Sequence, residues 1–222
     1  MTNEGREMNR LVGKKPEHET IYAQLREQLL FGEFVPGQPL TIHGLAESIG
    51  SGVTPIREAI RRLTAEGALV VRENRRVEVP DMTYARLEQI ELVRVSVEPV
   101  LAMMGAKNNV SGVAAELERL DQEVNHAIEV GDIRKYLEAN YRFHFTLYAA
   151  ADAEVLLRVA ESLWLQIGPA LRVGCGRFGT ANLVDQHHAA TVALRVGDFE
   201  AVRSAFEEDI RQGMKFVSQT LK

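Results

Sequence analysis

Several polar side chains stand on the apolar stripes of predicted helices in the second half of the sequence. Asn140 and His144 are four residues apart, so they share one face of a helix. His187 and Asp209 each occupy the apolar face of a later helix. A polar group buried without a partner costs roughly 2–7 kcal/mol, so such groups bond one another or a ligand. The pattern predicts that these four side chains converge on one site inside a helical bundle.

Two imidazoles, one carboxylate and one amide oxygen form a donor set that suits a cation of intermediate softness. Zinc and nickel fit best, with water completing the coordination. Each residue alone also has a simpler interpretation. A single inward histidine is commonly a satisfied core residue, and Asp209 could pair with Arg94, which stands on the apolar stripe of an earlier helix. From the residues alone, a metal site and ordinary core pairing both remain open.

The composition is that of a soluble globular protein. The chain has 222 residues, 45% of them hydrophobic and 26% charged, enough for one large domain or two small ones. There is no run of about 18 apolar residues, and the stretch from Met1 to Lys15 is polar, so we expect a cytoplasmic protein with no membrane partner. The single cysteine, Cys175, excludes an internal disulfide, and its Gly-Cys-Gly context predicts a tight loop.

Basic residues are concentrated in one short segment. The net charge of the chain is −5, yet residues 51–76 contain six arginines and only three glutamates. Phosphate contacts supply the sequence-independent part of nucleic-acid affinity, so a protein that coats nucleic acid is basic throughout. An acidic protein with one compact basic patch is more typical of site-specific binding.

The region around this basic segment has the pattern of a helix-turn-helix. Thr41 can cap a short helix, and Gly50-Ser51-Gly52 predicts a tight turn after it. A second helix is expected to begin with Thr54 as its N-cap and Pro55 in the first helical position. Gly67 is expected to end it. Together these signals predict a helix that is presented to a DNA groove.

The predicted second helix and the residues after it carry outward-facing basic groups. Arg57 and Arg61 are four residues apart, on the face opposite the apolar one. Residues 69–72 and 77–79 are then expected to form two strands of a β-hairpin wing, with arginines at its tip, Arg75 and Arg76.

From Asp81 onward, apolar residues recur at helical spacing almost without interruption. Glycine, proline and aspartate divide this stretch into about six helices, near 82–108, 112–130, 132–150, 153–171, 180–196 and 198–221. The predicted fold is therefore mainly α: an N-terminal winged helix-turn-helix with a small β-hairpin, followed by an all-α bundle. We divide the chain into a flexible lead-in (1–17), a DNA-binding domain (18–80) and an effector-binding and dimerisation domain (81–222).

The N-terminal motifs resemble the winged helix of GntR-family bacterial transcription regulators. The resemblance rests on Gly32-Glu-Phe-Val-Pro-Gly-Gln-Pro-Leu40, on Thr54-Pro-Ile-Arg-Glu-Ala-Ile-Arg-Arg-Leu63 and on Glu66-Gly67. It implies that double-stranded operator DNA is the partner and that Arg57 contacts it. Val53 stands where many members have a base-reading arginine, which implies a different operator. The residues expected at the DNA are Thr54, Arg57, Arg61, Arg75, Arg76 and His43.

The C-terminal motifs are similar to the ligand-binding FCD domain of the FadR-type GntR subfamily. They are Arg94-Val-Ser-Val-Glu98, Asn140-Tyr-Arg-Phe-His144, Gln186-His187 and Asp209-Ile210. Metal-binding members use one aspartate and three histidines; here His144 and His187 match, Asn140 replaces the usual aspartate and Asp209 stands at the third histidine position. The resemblance also assigns Arg94 to a carboxylate of the effector. Tyr141 and Arg172 are further candidates for the effector cavity.

The resemblance implies a homodimeric transcription regulator, more commonly a repressor, that responds to a small organic or sugar acid. One alternative is a metal-dependent hydrolase or isomerase with an appended DNA-binding domain, which we disfavour because no inward glutamate or lysine stands out as a partner base. Another is a regulator whose metal-free bundle serves only dimerisation. That alternative predicts that a chelator leaves thermal stability unchanged.

Overall fold

The protein is mainly helical, as the sequence predicts. The computed structural model describes residues 16–73, 76–108, 110–178 and 185–221. Within these ranges no helix is long and apolar enough to cross a membrane. The helices are α1 (Glu17–Leu30), α2 (Ile42–Ile49), α3 (Val53–Ala65), α4 (Tyr84–Asn108), α5 (Val110–Val130), α6 (Ile133–Ala150), α7 (Glu154–Phe178), α8 (Gln186–Arg195) and α9 (Phe199–Ser218); the strands are β1 (Pro39–Leu40), β2 (Val70–Val71) and β3 (Val77–Glu78).

Helices α2 and α3 form the predicted helix-turn-helix. The Thr41 hydroxyl caps α2 by accepting a hydrogen bond from the Gly44 amide at 3.0 Å. Gly50 ends α2 in the left-handed conformation (φ 72°), which glycine adopts without a steric cost. Helix α1 covers the inner face of this pair through Ile21 and Leu25, which belong to the same buried cluster as α3.

Helix α3 begins earlier than its sequence signals predict. Its N-cap is Gly52, which supplies no side-chain cap, and Val53 is the first helical residue. The prediction that Thr54 is the N-cap is therefore wrong; Thr54 lies exposed in the first turn. Pro55 tolerates this shift because the amides of the whole first turn lack intrahelical partners, so the missing N–H of proline costs nothing there.

The wing is a three-stranded sheet in the order β1-β3-β2, with both pairs antiparallel. The β2–β3 hairpin was predicted, whereas β1 is too short to leave a periodic pattern. Leu40 is opposite Val77, and so β1 ties the residues before the helix-turn-helix to the wing. Arg76 is exposed near the tip, and Arg75 lies outside the described residues.

Aspartates cap three of the bundle helices; α6 and α9 begin within one residue of the predicted starts, whereas α8 begins at Gln186 and not near residue 180. The carboxylates of Asp132, Asp185 and Asp198 accept hydrogen bonds from the backbone amides three residues further on. Helix α7 is longer than predicted. It continues through Pro169 and reaches Phe178, so the prediction of a tight loop around Cys175 is wrong. Ile167 and Cys175 are both buried along this helix, and their packing outweighs the local preference for a break.

Burial makes the Cys175 thiol a weak acid, because a thiolate there would lose its hydration. The pKa of Cys175 is raised to about 12. We therefore expect the native protein to react with a thiol-specific reagent at pH 8 far more slowly than the same protein in denaturant, where the thiol is exposed. A time course of thiol titration measures this. Equal rates in both states would contradict the burial of Cys175.

Helices α4 and α6 approach each other closely at Gly105. A Cβ atom placed on Gly105 would lie only 1.9 Å from the backbone oxygen of Leu147. No residue larger than glycine fits there unless the two helices separate. This contact fixes the spacing of two helices that both contribute to the polar cluster described below.

Candidate functional site

Three of the four expected metal ligands meet in the bundle. The Nε2 atom of His144 on α6 lies 3.0 Å from Asp209 Oδ2 on α9, and His187 Nε2 on α8 lies 3.7 Å from Asp209 Oδ1. The ligand atoms of these residues are all within 4.8 Å of one another. Both Nε2 atoms are buried, and neither has a hydrogen-bonding partner in the described part of the chain, because the close approach of His144 to Asp209 lacks hydrogen-bond alignment.

A chain of hydrogen bonds fixes the tautomer of His144. The Tyr148 hydroxyl donates to Glu98 Oε2 at 3.0 Å, so its single proton is used there. His144 Nδ1 lies 2.9 Å from the same hydroxyl and must be the donor to it. In the neutral ring, Nε2 then carries a lone pair and lies 3.0 Å from the Asp209 carboxylate. Two groups that only accept face each other, an arrangement that a cation between them would relieve.

The protonation states of the other two residues also suit a cation. The pKa of His187 is lowered to about 4, because burial disfavours the charged imidazolium and His144 lies close by. Burial by itself would raise the pKa of Asp209, but the contact with His144 and the charge interactions with His187 and Arg94 lower it to about 2. At neutral pH the cluster therefore offers a neutral imidazole and an ionised carboxylate.

The cluster opens into a cavity of about 280 Å³. Asp209 lines it, and the side chain is 29% exposed there. Asn140, the fourth expected ligand, is nine-tenths buried and lines the same cavity. The remaining wall mixes apolar side chains with the neutral amides of Asn125, Gln186 and Gln212 and the charged groups of Arg94 and Asp185.

Arg94 lines the cavity but already holds a carboxylate of the protein. Its Nε and Nη2 atoms donate to Glu98 at 2.6 and 3.0 Å, and the side chains of both residues are buried. Arg94 does not pair directly with Asp209, which was the simpler interpretation of the two residues. The two-pronged face of the guanidinium, formed by Nε and Nη2, is therefore already occupied by Glu98. An effector carboxylate cannot bind that face as expected while Glu98 stays in place.

Glu98 is the central residue to which the sequence interpretation gave no role, although it ends the motif that begins at Arg94. It is fully buried, and its carboxylate also accepts a hydrogen bond from Trp164 Nε1 at 2.9 Å. The statement that no inward glutamate stands out is therefore wrong. The spacing could have revealed it, because a carboxylate four residues after Arg94 faces the same side of the helix. Its carboxylate accepts four hydrogen bonds, three of them on Oε2, and Glu98 is not among the described residues that line the cavity, so it is not placed to act as a base there.

Tyr141 and Arg172 do not line this cavity. The Tyr141 hydroxyl accepts a hydrogen bond from Arg26 of α1 at 3.3 Å, and its ring stacks on Phe145. Arg172 packs over Gly32, at the end of α1. Both side chains therefore lie where the helix-turn-helix domain meets the bundle.

Helix α7 supplies much of the surface on which the helix-turn-helix domain rests. Ser162 Oγ and Gln166 Nε2 donate to the backbone oxygen of Glu66, at 2.9 and 3.2 Å. The side chains of Trp164 and Leu165 belong to the same buried cluster as residues of α1 and α3. Because Trp164 also lines the cavity, one side chain touches both the cavity and the core of the N-terminal domain.

The outer face of α3 is exposed and partly neutralised. Among the described residues Arg57 makes no ion pair, whereas Arg61 pairs with Glu58 at 2.7 Å and Arg62 with Glu66 at 3.3 Å. His43 is exposed in the first turn of α2. Of the expected DNA-binding side chains on α3, Arg57 is thus the cation with the fewest competing partners.

The chain matches two family models that together span most of its length. Residues 17–79 match the model described as bacterial regulatory proteins, gntR family, and residues 89–212 match the FCD domain. The chain belongs to the GntR family, in its FCD subfamily. This GntR-family protein is a bacterial transcription regulator that acts on DNA, and the resemblance inferred from the motifs is confirmed.

Relatives of this FCD regulator align over nearly their whole length. The HTH-type transcriptional regulator McbR of Escherichia coli is 29% identical over 88% of this chain and 90% of its own. The probable D-xylose utilization operon transcriptional repressor of Paenarthrobacter nicotinovorans is 25% identical over 90% and 89%. The solved structure of E. coli McbR/YncC covers 93% of this chain and 99% of its own with a TM-score of 0.86 and 27% identity. Because the relatives are named as regulators, the alternative of a hydrolase or isomerase is set aside.

Proposed function

We propose that this regulator is a homodimeric repressor that senses a small carboxylate through a metal-containing cavity in its bundle. The observation that carries the proposal is the cluster of His144, His187 and Asp209 at the cavity wall. Two buried imidazole nitrogens without hydrogen-bonding partners and one ionised carboxylate are the groups that a divalent cation neutralises and bonds.

His144, His187 and Asp209 would hold the cation, and Asn140 would add its amide oxygen from the same cavity wall. Imidazole ligands favour zinc or nickel over magnesium or calcium, which prefer sets made only of oxygens. A divalent cation held there would bind an oxygen of the effector in an open coordination position. The Tyr148–Glu98 hydrogen-bond chain keeps the His144 ring in the tautomer that a metal requires.

The winged helix would read operator DNA with α3 in the major groove. In a homodimer, two such helices would contact half-sites roughly 34–36 Å apart, or a multiple of that spacing, so the operator would be a pseudo-palindrome. Arg57 supports this placement because it is exposed and makes no ion pair among the described residues. Thr54, Arg61, His43 and the wing arginines Arg75 and Arg76 remain proposed contacts.

Replacing Arg57 with alanine should weaken operator binding by about 1–3 kcal/mol, which is roughly 5- to 150-fold. The loss arises because a guanidinium contact to a base or phosphate disappears. Electrophoretic mobility shift or fluorescence anisotropy at fixed salt measures it. Arg158→Ala is the matched control: it removes the same charge from an exposed ion pair with Glu154 on α7. Equal affinities of the Arg57→Ala variant and wild type, with the fold intact, would remove Arg57 from the contacts.

Effector binding would be communicated to the DNA-binding domain through α7. Trp164 forms part of the cavity wall and also packs in the core of the N-terminal domain. A ligand that binds one arrangement of these side chains better than another shifts the population between domain arrangements. In a dimer, such a shift changes the spacing between the two α3 helices.

One experiment tests the whole proposal. The operator is first isolated by in vitro selection with the full-length protein, and the protein is loaded with zinc or nickel. Small carboxylates are then screened for release of the selected DNA. Release by a carboxylate only when the metal is present supports the proposal. Absence of stoichiometric metal, together with an unfolding temperature that a chelator leaves unchanged, would instead support a bundle that serves only dimerisation.

A further inference from the structure

Building on the proposed function, we propose that the effector is a hydroxylated monocarboxylate, and that Glu98 restricts it to a single carboxylate by occupying the two-pronged face of Arg94. The resemblance to the family leaves the charge of the ligand open. Three features of the cavity bear on that charge: the contacts of Arg94, the anchoring of Glu98 and the polarity of the remaining wall.

Arg94 has little hydrogen-bonding capacity left for a ligand. Nε and Nη2 donate to Glu98, and the Trp164 ring covers the guanidinium with its centroid 4.7 Å from Cζ. Nη1 lies 4.0 Å from the Sδ atom of Met214, a weak acceptor. The charge of Arg94 is thus compensated inside the protein before any ligand arrives.

Glu98 cannot easily give way to a carboxylate of the effector. If it left Arg94, the hydroxyl of Tyr148 and the indole N–H of Trp164 would lose their buried acceptor as well. A buried donor without an acceptor is costly, so the four hydrogen bonds hold Glu98 in place together. The tautomer of His144 depends on the same network, which links the position of Glu98 to the metal ligands.

The charges facing the cavity then leave room for one anion. Arg94 and Glu98 cancel, and a divalent cation on neutral histidines would be half compensated by Asp209. One positive charge remains for a ligand. Asp185, the other carboxylate on the wall, caps α8 and is exposed, so water largely screens its charge and it does not change this count. A second carboxylate on the ligand would therefore be buried without a counter-charge.

The rest of the polar wall suits hydroxyl groups. Four neutral amides and one phenol face the cavity, and they can both donate and accept hydrogen bonds. A volume of about 280 Å³ limits the ligand to a small molecule. These polar residues are Asn125, Asn140, Gln186, Gln212 and Tyr136.

A series of four-carbon probes tests the inference with the full-length, zinc-loaded protein. The series consists of threonate (hydroxylated monocarboxylate), tartrate (hydroxylated dicarboxylate), threitol (no carboxylate) and butyrate (no hydroxyl). Isothermal titration calorimetry measures binding, and the fluorescence of Trp164, the only tryptophan, reports on the cavity wall. Parallel titrations of free zinc correct for chelation by the probes.

We expect threonate to bind at least tenfold more tightly than tartrate, threitol or butyrate. Tartrate that binds as tightly as threonate, or more tightly, would overturn the inference and leave the proposed function standing. If neither carboxylate nor any other small acid binds the zinc-loaded protein, the effector part of the proposed function fails as well. The two failures are therefore distinguishable.

Variants test the role of Glu98 separately. Glu98→Gln removes the charge that compensates Arg94, so the ratio of tartrate to threonate affinity should rise at least tenfold. In the double variant Arg94→Gln, Glu98→Gln the two side chains again have no net charge, so threonate should still bind more tightly than tartrate. Circular dichroism and the unfolding temperature establish that each variant folds. An unchanged ratio in the folded Glu98→Gln variant would overturn the role of Glu98, as would a preference of the double variant for tartrate.

Discussion

Replacing Asp209 with asparagine is expected to abolish the thermal stabilisation that zinc or nickel gives to the full-length protein. Asparagine has nearly the same shape but lacks the charge, and Asp209 is the one carboxylate that approaches both His144 and His187 among the described residues. A cation at about 100 to 1,000 times its dissociation constant stabilises the protein by about 2.7–4.1 kcal/mol. That energy corresponds to a rise of roughly 5–16 °C in unfolding temperature for a domain of this size.

The measurement is the unfolding temperature with and without added metal, combined with metal analysis after dialysis. Glu208→Gln is the matched control, because it removes one negative charge from the exposed neighbour on the same helix. It should leave the metal-induced rise intact. Binding of the selected operator without effector should survive in Asp209→Asn, since the winged helix contains none of the ligands. A rise in unfolding temperature that persists in Asp209→Asn would contradict the assigned site.

Replacing Gly105 with alanine should destabilise the protein by about 1–3 kcal/mol or more, although alanine normally favours a helix over glycine by about 1 kcal/mol. The added methyl group would lie 1.9 Å from a backbone oxygen of Leu147, and a backbone atom cannot rotate away as a flexible side chain can. Helices α4 and α6 must therefore separate. Because Glu98 and Tyr148 bond across these two helices, we also expect weaker metal stabilisation.

Thermal unfolding of Gly105→Ala and of a second glycine variant checks this expectation. Gly213→Ala is the control: it lies inside α9, where the nearest atom to an added Cβ is a side-chain carbon of Leu171 at 3.9 Å. That ordinary contact leaves only the gain in helix propensity, so Gly213→Ala should be neutral or stabilising. If the two variants had equal stabilities, α4 and α6 would not be as close as described.

The helix-turn-helix was predictable because its signals are local. A threonine cap, a glycine turn and an apolar stripe each act within a few residues, and they predict the presence and order of α2, α3 and the hairpin. The start of α3 was misplaced because threonine and proline fit more than one position in a first turn. The two-residue strand β1 depends on pairing with β3, which no local pattern encodes.

The candidate metal site was predictable in part for a similar reason. Polar residues on apolar stripes must meet partners, so the convergence of His144, His187 and Asp209 followed from helical periodicity. The sequence does not predict which side chains the buried polar groups bond to. Arg94 selects Glu98 of its own helix rather than Asp209, and that choice depends on how α4, α6 and α7 pack. The same limit explains the length of α7, where packing overrides glycine and proline.

The sharing of Trp164 and Leu165 between the bundle and the N-terminal core has a consequence for protein engineering. Hybrid regulators are often imagined as a DNA-reading module fused to a foreign sensor at the linker between them. Here a cut near residue 80 would remove two side chains from the hydrophobic core of the DNA-reading module and leave its α1–α3 surface uncovered. A working hybrid of this protein would have to carry the matching surface of α7 into the new sensor, together with Ser162 and Gln166, which bind the end of α3.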